Sequence, residues 1–155
     1  MSFEVFISYS HEDKELLNKL ITALSNLRNQ NLISNWYDGD IIPGTEWKQQ
    51  ILTHLAQAQI ILLLISPDFM ASDFCYSIEM KQAIERHDHD QARVIPILLR
   101  PTDWEGAPFA KLLALPSDGR PITGWSDRDQ AFLDVIRGIR RAINDLNAHL
   151  AVNPQ

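Results

Sequence analysis

The sequence predicts an α/β protein, in which a parallel sheet carries helices on both of its faces. Short runs of apolar and β-branched residues alternate along the chain with stretches whose apolar residues recur at helical spacing. One short run, Ile60–Ile65, is wholly apolar, as expected of a strand that is buried on both faces. Alternation of this kind is typical of parallel sheets, because each helix returns the chain to the edge where the next strand begins.

The first part of the chain contains two predicted strands with a helix between them. Phe3–Ser8 is a short β-rich run, and Leu32–Tyr37 is a second run that is partly polar. Ser10 can cap the intervening helix, whose apolar residues are Leu16, Leu17, Leu20, Ile21, Leu24 and Leu27. Glycines and a proline predict a loop over residues 38–44, and Thr45 can cap the helix that precedes the apolar strand.

The second part continues the alternation. A helix is predicted from about residue 72 to residue 86, followed by a strand at Arg93–Leu99. Pro96 lies inside that strand and predicts a bulge or a sheet edge, because proline cannot donate a hydrogen bond to a neighbouring strand. The loop-rich stretch 100–126 contains a predicted fifth short strand at Pro121–Thr123.

The end of the chain combines a helical pattern with a polar segment. Asp127 or Asp129 can start the last helix, which keeps its apolar spacing as far as Ile143. A chain of 155 residues fits one domain that buries its own core. We therefore predict one domain over residues 1–145 and a polar tail over residues 146–155, which we interpret as the start of a linker.

Composition excludes several classes of protein. The net charge of −6 argues against nucleic-acid binding, because no basic stripe is present. The single cysteine, Cys75, excludes an internal disulfide framework and suits a reducing cytosol. No leader pattern opens the chain, and its longest apolar run is too short to cross a bilayer. We expect a cytoplasmic protein without a membrane partner. The run 86–90 contains two histidines and two aspartates, which we interpret as a solvated helix end, so no metal site is predicted.

Glu79 is the candidate site residue that the pattern itself indicates. It follows the apolar strand and a serine-containing loop, and no basic residue stands at positions 75 or 76 to pair with it. A glutamate taken singly is usually an exposed surface residue. In a parallel sheet, however, ligands bind at the carboxyl ends of the strands, which is where this helix begins.

Several segments in order resemble a bacterial-type Toll/interleukin-1 receptor (TIR) domain. Phe3–Ser10 is similar to the opening strand of that family, Tyr37–Gly44 resembles its BB loop, which ends in Pro-Gly, and Ser66–Glu79 resembles its serine-rich turn and following helix. Arg100–Trp104 and Gly124-Trp125 with Phe132 resemble later features of bacterial members. The resemblance covers about residues 3–143.

The resemblance implies a fold and a chemistry. The fold is a flavodoxin-like three-layer sandwich with a five-stranded parallel sheet in the order 2-1-3-4-5. Many TIR domains cleave NAD+ at the nicotinamide–ribose bond, and Glu79 stands where they carry the catalytic glutamate. This chain differs in having Phe74-Cys75 where enzymatic members often have Trp-Cys, and Cys75 is four residues before Glu79 rather than three.

The resemblance also implies the surroundings of that carboxylate. No cofactor is expected, since NAD+ is the substrate, and no metal is expected. The predicted NAD+-contacting residues are Ser8, Tyr9, Ser10, Asp38, Ile42, Ser66, Phe69 and Cys75. The BB loop from Asp38 to Gly44 would cover the pocket, and Phe69 would stack on nicotinamide. A core role is the favoured alternative for Phe69 and Cys75, and the two roles are balanced for Tyr9 and Ser66.

Two other functions were compared with this one. A phosphoacceptor receiver domain needs acids at the ends of the first and third strands, where this chain has Ser8-Tyr9-Ser10 and Ser66, so that function is rejected. A TIR scaffold that signals by self-association through the BB loop and neighbouring helices, without turnover, stays as the alternative. The two functions are compatible, because enzymatic TIR domains commonly need assembly. The product, whether ADP-ribose, a cyclic isomer or a base-exchanged dinucleotide, stays open.

Overall fold

The computed structural model describes residues 2–41 and 49–152 of the chain. In these residues four parallel strands form one sheet in the order β2-β1-β3-β4. The strands are β1 (Phe3–Ser10), β2 (Ile33–Ile41), β3 (Ile60–Ile65) and β4 (Arg93–Leu98). The parallel α/β class and the central position of β1 and β3 confirm the predicted flavodoxin-like arrangement.

Helices connect the strands and cover the sheet. They are α1 (Lys14–Asn29), α2 (Gln49–Gln57), α3 (Pro67–Met70), α4 (Ile78–Asp88) and α5 (Arg128–Val152), with 3₁₀ turns at His11–Asp13, Asp73–Tyr76 and Ile122–Gly124. In α1 the apolar residues at helical spacing are buried, namely Leu17, Leu20, Leu24 and Leu27. Within the described residues, none of these helices is both long enough and apolar enough to cross a membrane.

The sheet separates two apolar cores. On one face, alternate residues of β1, including Ile7 and Tyr9, pack with α1 and α5. On the other face, Phe6 and the β3 residues Ile61 and Leu63 pack with residues of α2, α3 and α4. Side chains alternate along a strand, so Ser8 lies on the same face as Phe6 and opposite Tyr9. The candidate residues at the end of β1 are therefore divided between the two faces.

The predicted fifth strand is wrong. Residues 122–124 form a 3₁₀ turn rather than a strand. Leu115 instead occupies the position beside β4, where it makes one isolated parallel bridge with Ile97. Its N–H donates to the Pro96 carbonyl at 2.9 Å and its carbonyl accepts from Leu98 N–H at 2.7 Å. The next residue is a proline, which has no N–H to extend the pairing, so the ladder stops there.

Three predicted boundaries also change. β2 continues to Ile41, so the first four residues of the segment predicted as the BB loop, Asp38–Ile41, lie in a strand, while residues 42–44 lie outside the described residues, as does Thr45. The helix predicted over 72–86 is a 3₁₀ turn followed by α4. α5 continues to Val152 and buries Leu146, so the first part of the predicted tail is helical. A linker beyond this helix stays a prediction.

His87 protects the outer edge of β4, where the sequence predicted only a solvated helix end. Its Nδ1 accepts a hydrogen bond of 2.9 Å from the N–H of Val94. That ring nitrogen must therefore be unprotonated. Burial lowers the pKa of His87, and the charges of Arg93 and Lys111 lower it further, against the opposing effects of Asp88 and Asp90.

This contact gives the fold a pH dependence. Because the pKa of His87 is lower in the folded chain than its ordinary value of 6.5, the unfolded chain binds more protons between these two values. We expect the His87 contribution to stability to be present above pH 6.5 and to be lost as the pH falls through the folded-state pKa. Urea unfolding at a series of pH values measures this.

The control is a substitution that keeps an acceptor but removes the titration. In His87→Asn the amide oxygen can still accept from Val94 N–H, so the free energy of unfolding should fall less between neutral and acidic pH than in wild type. His89→Asn, at an exposed neighbouring position, should retain the wild-type dependence. An unchanged dependence in His87→Asn would assign the acid sensitivity to other groups.

Candidate functional site

The candidate site lies at the carboxyl edge of the sheet. The strands are parallel, so their last residues, among them Ser10, Ile65 and Leu98, all lie at this edge. The far end of α4 is fixed at the opposite edge, because Arg86 donates to the carbonyl oxygens of Leu55 and Ala58 at 3.1 and 2.8 Å, just before β3 begins. The first turn of α4 therefore lies at the carboxyl edge.

Glu79 belongs to that first turn. Ser77 caps the helix, since its Oγ accepts a hydrogen bond of 3.1 Å from Met80 N–H and donates one of 2.7 Å to the Phe74 carbonyl. The Glu79 side chain is partly exposed, and in the described part of the chain the structure gives it no hydrogen bond or ion pair. A carboxylate here is favourably placed against the helix dipole.

Serine hydroxyls also organise the segment that leads from β3 to α4. Ser66 Oγ accepts from Phe69 N–H at 3.1 Å and so caps α3. Ser72 Oγ donates to the Phe69 carbonyl. The ring of Phe69 packs edge-on against Phe74 and Phe109, with centroid separations of 6.0 and 6.5 Å. The segment is thus held by turn hydrogen bonds and by a buried aromatic cluster.

A partly buried ionic cluster lies beside this segment. Asp13 is 3% exposed, and its carboxylate accepts hydrogen bonds from the Ser66 hydroxyl and from Arg100 Nε, the latter at 2.9 Å. Arg100 also donates to the carboxylate of Asp68. The members of this ionic cluster follow the ends of three strands, β1, β3 and β4. They therefore tie the three loops together.

Arg100 is charged at any accessible pH. Burial acts to lower the pKa of its guanidinium, but the hydrogen bonds that it donates to Asp68 and Asp13 and the negative charges of these residues outweigh burial and raise the pKa. Asp13 thus keeps a permanent positive partner. The cluster contains two carboxylates and one guanidinium, and Asp68, which is partly exposed, remains in contact with water.

The end of β1 places its three predicted residues differently. Ser8 is fully buried, and its hydroxyl has no hydrogen-bond partner in the described structure. Tyr9 lies on the opposite face, where its hydroxyl accepts a hydrogen bond of 2.9 Å from Lys14 Nζ. Ser10 Oγ accepts weakly from Glu12 N–H, at 3.4 Å, and caps the 3₁₀ turn. Ser8 and Ser10 therefore share the face that α4 covers.

Two of the predicted contacts are core residues. Phe69 and Cys75 are both fully buried, as the favoured alternative for each had it. Cys75 packs against Met70, with 3.7 Å between the sulfur atoms, and burial raises the pKa of its thiol to about 11. Asp38 lies in β2 opposite Ile7. Ile42 and the remainder of the predicted BB loop lie outside the described residues.

Sequence reasoning missed Asp13 and Arg100 as functional candidates. In the sequence Asp13 falls in the first turn of the helix that Ser10 can cap, and Arg100 falls in the family-like segment Arg100–Trp104. The two residues are 87 positions apart. The signal that could have found them is their placement directly after strands that were correctly predicted, since the ends of parallel strands meet.

A metal site and a surface cavity are the two alternatives to this site. Within residues 2–41 and 49–152, no group of three or more His, Cys, Asp or Glu side chains is arranged to hold a metal ion. A cavity of about 770 Å³ lies at the outer edge of β4 against α5, and its rim carries Arg93, Lys111, Arg141, Asp90 and Asp145. None of the predicted site residues lines this cavity. The candidate site is therefore the carboxyl edge of the sheet and not the cavity.

Comparison with known proteins gives three matches. A protein-family model for the TIR domain matches residues 5–136. The uncharacterized protein y4lF of Sinorhizobium fredii is 51% identical over 138 residues, which make up 89% of this chain and 43% of that protein. A probable 2′ cyclic ADP-D-ribose synthase, TcpO, of Methanobrevibacter olleyae is 30% identical over 98 residues, or 62% of this chain and 27% of that protein. The chain spans less than half the length of both relatives.

Substitution of Arg100 should lower the free energy of unfolding more than substitution of Arg93. Arg100→Met leaves the buried Asp13 carboxylate without its cation, so we expect the free energy of unfolding to fall by about 3 kcal/mol. Arg93→Met breaks a pair with Asp145, which is 67% exposed, and should cost less than about 1 kcal/mol. Urea denaturation of both variants provides the measurement.

A double variant isolates the cause. Adding Asp13→Asn to Arg100→Met removes the orphaned charge, so the double variant should be more stable than Arg100→Met alone. If the two arginine variants were equally stable, or if Asp13→Asn destabilised the Arg100→Met background further, the cluster would not be the source of the effect.

Proposed function

The chain belongs to the TIR domain family, and on that premise we propose that it cleaves NAD+ at the nicotinamide–ribose bond with Glu79 as the catalytic residue. The observation that carries this proposal is the position of Glu79, a partly exposed carboxylate at the carboxyl edge of the sheet. The relative that is named a probable 2′ cyclic ADP-D-ribose synthase supports NAD+ as the substrate.

A single carboxylate suffices for this chemistry. Nicotinamide leaves NAD+ as a neutral molecule from a cationic linkage, so no acid is needed to protonate it. Positive charge instead develops on the ribose as an oxocarbenium-like transition state forms. In our proposal the Glu79 carboxylate faces that charge and accepts hydrogen bonds from ribose hydroxyls, and NAD+ is a substrate rather than a resident cofactor.

We assign the sugar contact at the end of β1 to Ser8. A buried hydroxyl without a partner carries a desolvation cost of about 1–3 kcal/mol, and a contact with substrate is one of the explanations for such a group. Ser8 lies on the face that α4 covers, as Glu79 does, whereas Tyr9 faces α1. Ser10 and the backbone around Asp38 adjoin Ser8, through β1 and the pairing of β1 with β2. Ser66 contributes indirectly, through the segment that it caps.

The product and the setting belong to the proposal as well. Attack of water on the ribosyl cation, with release of a proton, gives ADP-ribose. Attack by another atom of the same molecule gives a cyclic isomer. The name of the Methanobrevibacter relative favours a cyclic product, although the match covers 62% of this chain. We place the activity in a cytoplasmic immune or signalling pathway, in which self-association through residues 38–44 and neighbouring helices activates the enzyme.

A TIR scaffold without turnover is the second candidate function. It is favoured by exposed apolar side chains close to Glu79. Tyr76 is 58% exposed and Ile78 is 68% exposed, and they flank the residue that caps α4. Exposed apolar side chains two positions apart in the chain offer apolar surface for contact with another molecule, here a second copy of the chain. The two functions differ in their requirement for the Glu79 carboxylate.

The first prediction from this proposal concerns Glu79→Gln. The substitution keeps the side-chain shape and removes the charge, so nicotinamide release should fall by about 10²–10³-fold or more. Glu85→Gln, at an exposed position on the same helix, is the matched control and should retain the wild-type rate. The measurement is NAD+ consumption with chromatographic identification of products, over a range of protein concentrations with a crowding agent.

The possible outcomes test separate parts of the proposal. An equal rate in Glu79→Gln and wild type would remove Glu79 from the mechanism. A folded, self-associating wild type that releases no nicotinamide would favour the scaffold. A rate per molecule that is independent of concentration would contradict activation by assembly.

The second prediction concerns Ser8→Ala. Removal of a hydroxyl that has no partner should leave the melting temperature unchanged or slightly raised, while KM for NAD+ rises. Ser66→Ala is the contrasting variant, because that hydroxyl makes two hydrogen bonds and its loss should lower the melting temperature. An unchanged KM in Ser8→Ala, measured by steady-state kinetics, would withdraw the sugar contact.

A further inference from the structure

The position of Glu79 depends on a segment with little regular structure of its own. Between β3 and α4 the chain forms only the four-residue helix α3 and a four-residue 3₁₀ turn. Elements of this length do not persist in isolation, because nucleation of a helix is costly. The segment therefore takes its position from its anchors, which are the aromatic cluster around Phe69 and the polar contacts at its start.

Asp13 controls the first polar anchor. Ser66 has a single hydroxyl proton and directs it to the Asp13 carboxylate, which leaves the oxygen lone pairs to accept from Phe69 N–H at 3.1 Å. Without Asp13 the hydroxyl is free to rotate toward another acceptor. The cap of α3 is therefore ordered by a residue that belongs to a different loop.

Arg100 supplies a second tie at the same turn. Its guanidinium binds Asp68, the second residue of α3, while Nε binds Asp13 at 2.9 Å. The first turn of α3 is thus held at Ser66 and at Asp68, and both ties converge on the Asp13–Arg100 pair. Since Asp13 is almost fully buried, its carboxylate has little access to water as an alternative partner.

Building on the function proposed above, we propose that Asp13 is a positioning residue for Glu79, acting through Ser66 and Arg100. From the capped turn the chain continues through consecutive main-chain hydrogen bonds, Met70 N–H to Ser66 at 3.0 Å and Ser72 N–H to Phe69 at 3.0 Å, to the cap at Ser77. A displacement of about 1 Å at the reacting centre can cost about 10²-fold in rate. Loss of the contacts at the start of the segment should therefore reduce turnover, although Asp13 itself does not contact substrate.

The test combines a structural and a kinetic measurement on the chain without and with NAD+. Ser66→Ala and Asp13→Ala remove the tie, Asp13→Asn is the milder variant should Asp13→Ala not fold, and Asp145→Asn is the control that breaks an exposed pair. Amide hydrogen exchange, read by mass spectrometry, should become about tenfold faster across residues 67–80 in the tie variants. Exchange in α1 and α5 should match wild type, and the control should match it everywhere.

The kinetic result separates positioning from general destabilisation. In the tie variants kcat should fall by about 10- to 100-fold while KM stays within about threefold. Adding Ser66→Ala to Glu79→Gln should produce no further loss, because the group being positioned is already gone. Unchanged exchange across 67–80, acceleration spread equally over all helices, or additive losses with Glu79→Gln would each overturn the inference.

The exchange experiment does not depend on turnover. A wild type that does not cleave NAD+ would overturn the proposed function, and exchange would then decide alone whether Asp13 holds the segment. If the wild type cleaves NAD+ and Ser66→Ala cleaves it at the same rate, the positioning role is overturned and the proposed function stands.

Discussion

The burial of β1 and β3 on both faces is the constraint on which the rest of the structure depends. All six residues of β3 are buried, and β1 buries side chains on both sides of the sheet. Two apolar faces require a helix layer on each, so every connection crosses back to the amino edge and every strand ends at the same carboxyl edge. Polar residues that are distant in sequence, such as Asp13, Ser66 and Arg100, meet at this edge because their strands do.

The ionic cluster at that edge is better understood as a device for order than as a source of net stability. Removing a carboxylate from water costs several kcal/mol, by general estimates for buried ions, and the attraction of a guanidinium offsets much of that cost without a large surplus. What the cluster does provide is a restriction on the conformations of the loops that it joins. Arg100 has fixed donor geometry and Ser66 has one proton, so few loop conformations satisfy Asp13 and Asp68 together.

Local patterns predicted most of the fold, and long-range geometry supplied what they missed. The apolar run of β3 and the helical spacing in α1 determined those elements because each pattern is contained in its own segment. The fifth strand failed because Leu115 makes a single bridge before a proline, and three residues around Ile122 carry too little pattern to separate a strand from a turn. Glu79 could be singled out as a candidate from its place after β3, and its role stays a prediction. The contacts of Asp13 with Ser66 and Arg100 could not be predicted in this way, since they join separate loops.

Two kinds of carboxylate therefore occupy one edge of the sheet. Asp13 and Asp68 share the guanidinium of Arg100, which balances one of their two negative charges and fixes their positions. Glu79 has no such cation within the described residues, so its charge is available to a substrate. A carboxylate paired to its own protein would contribute little to an oxocarbenium-like transition state, because its field would already be compensated. In the proposed mechanism the free carboxylate is that of Glu79, and the structural contacts at this edge are made by other acids, Asp13 and Asp68.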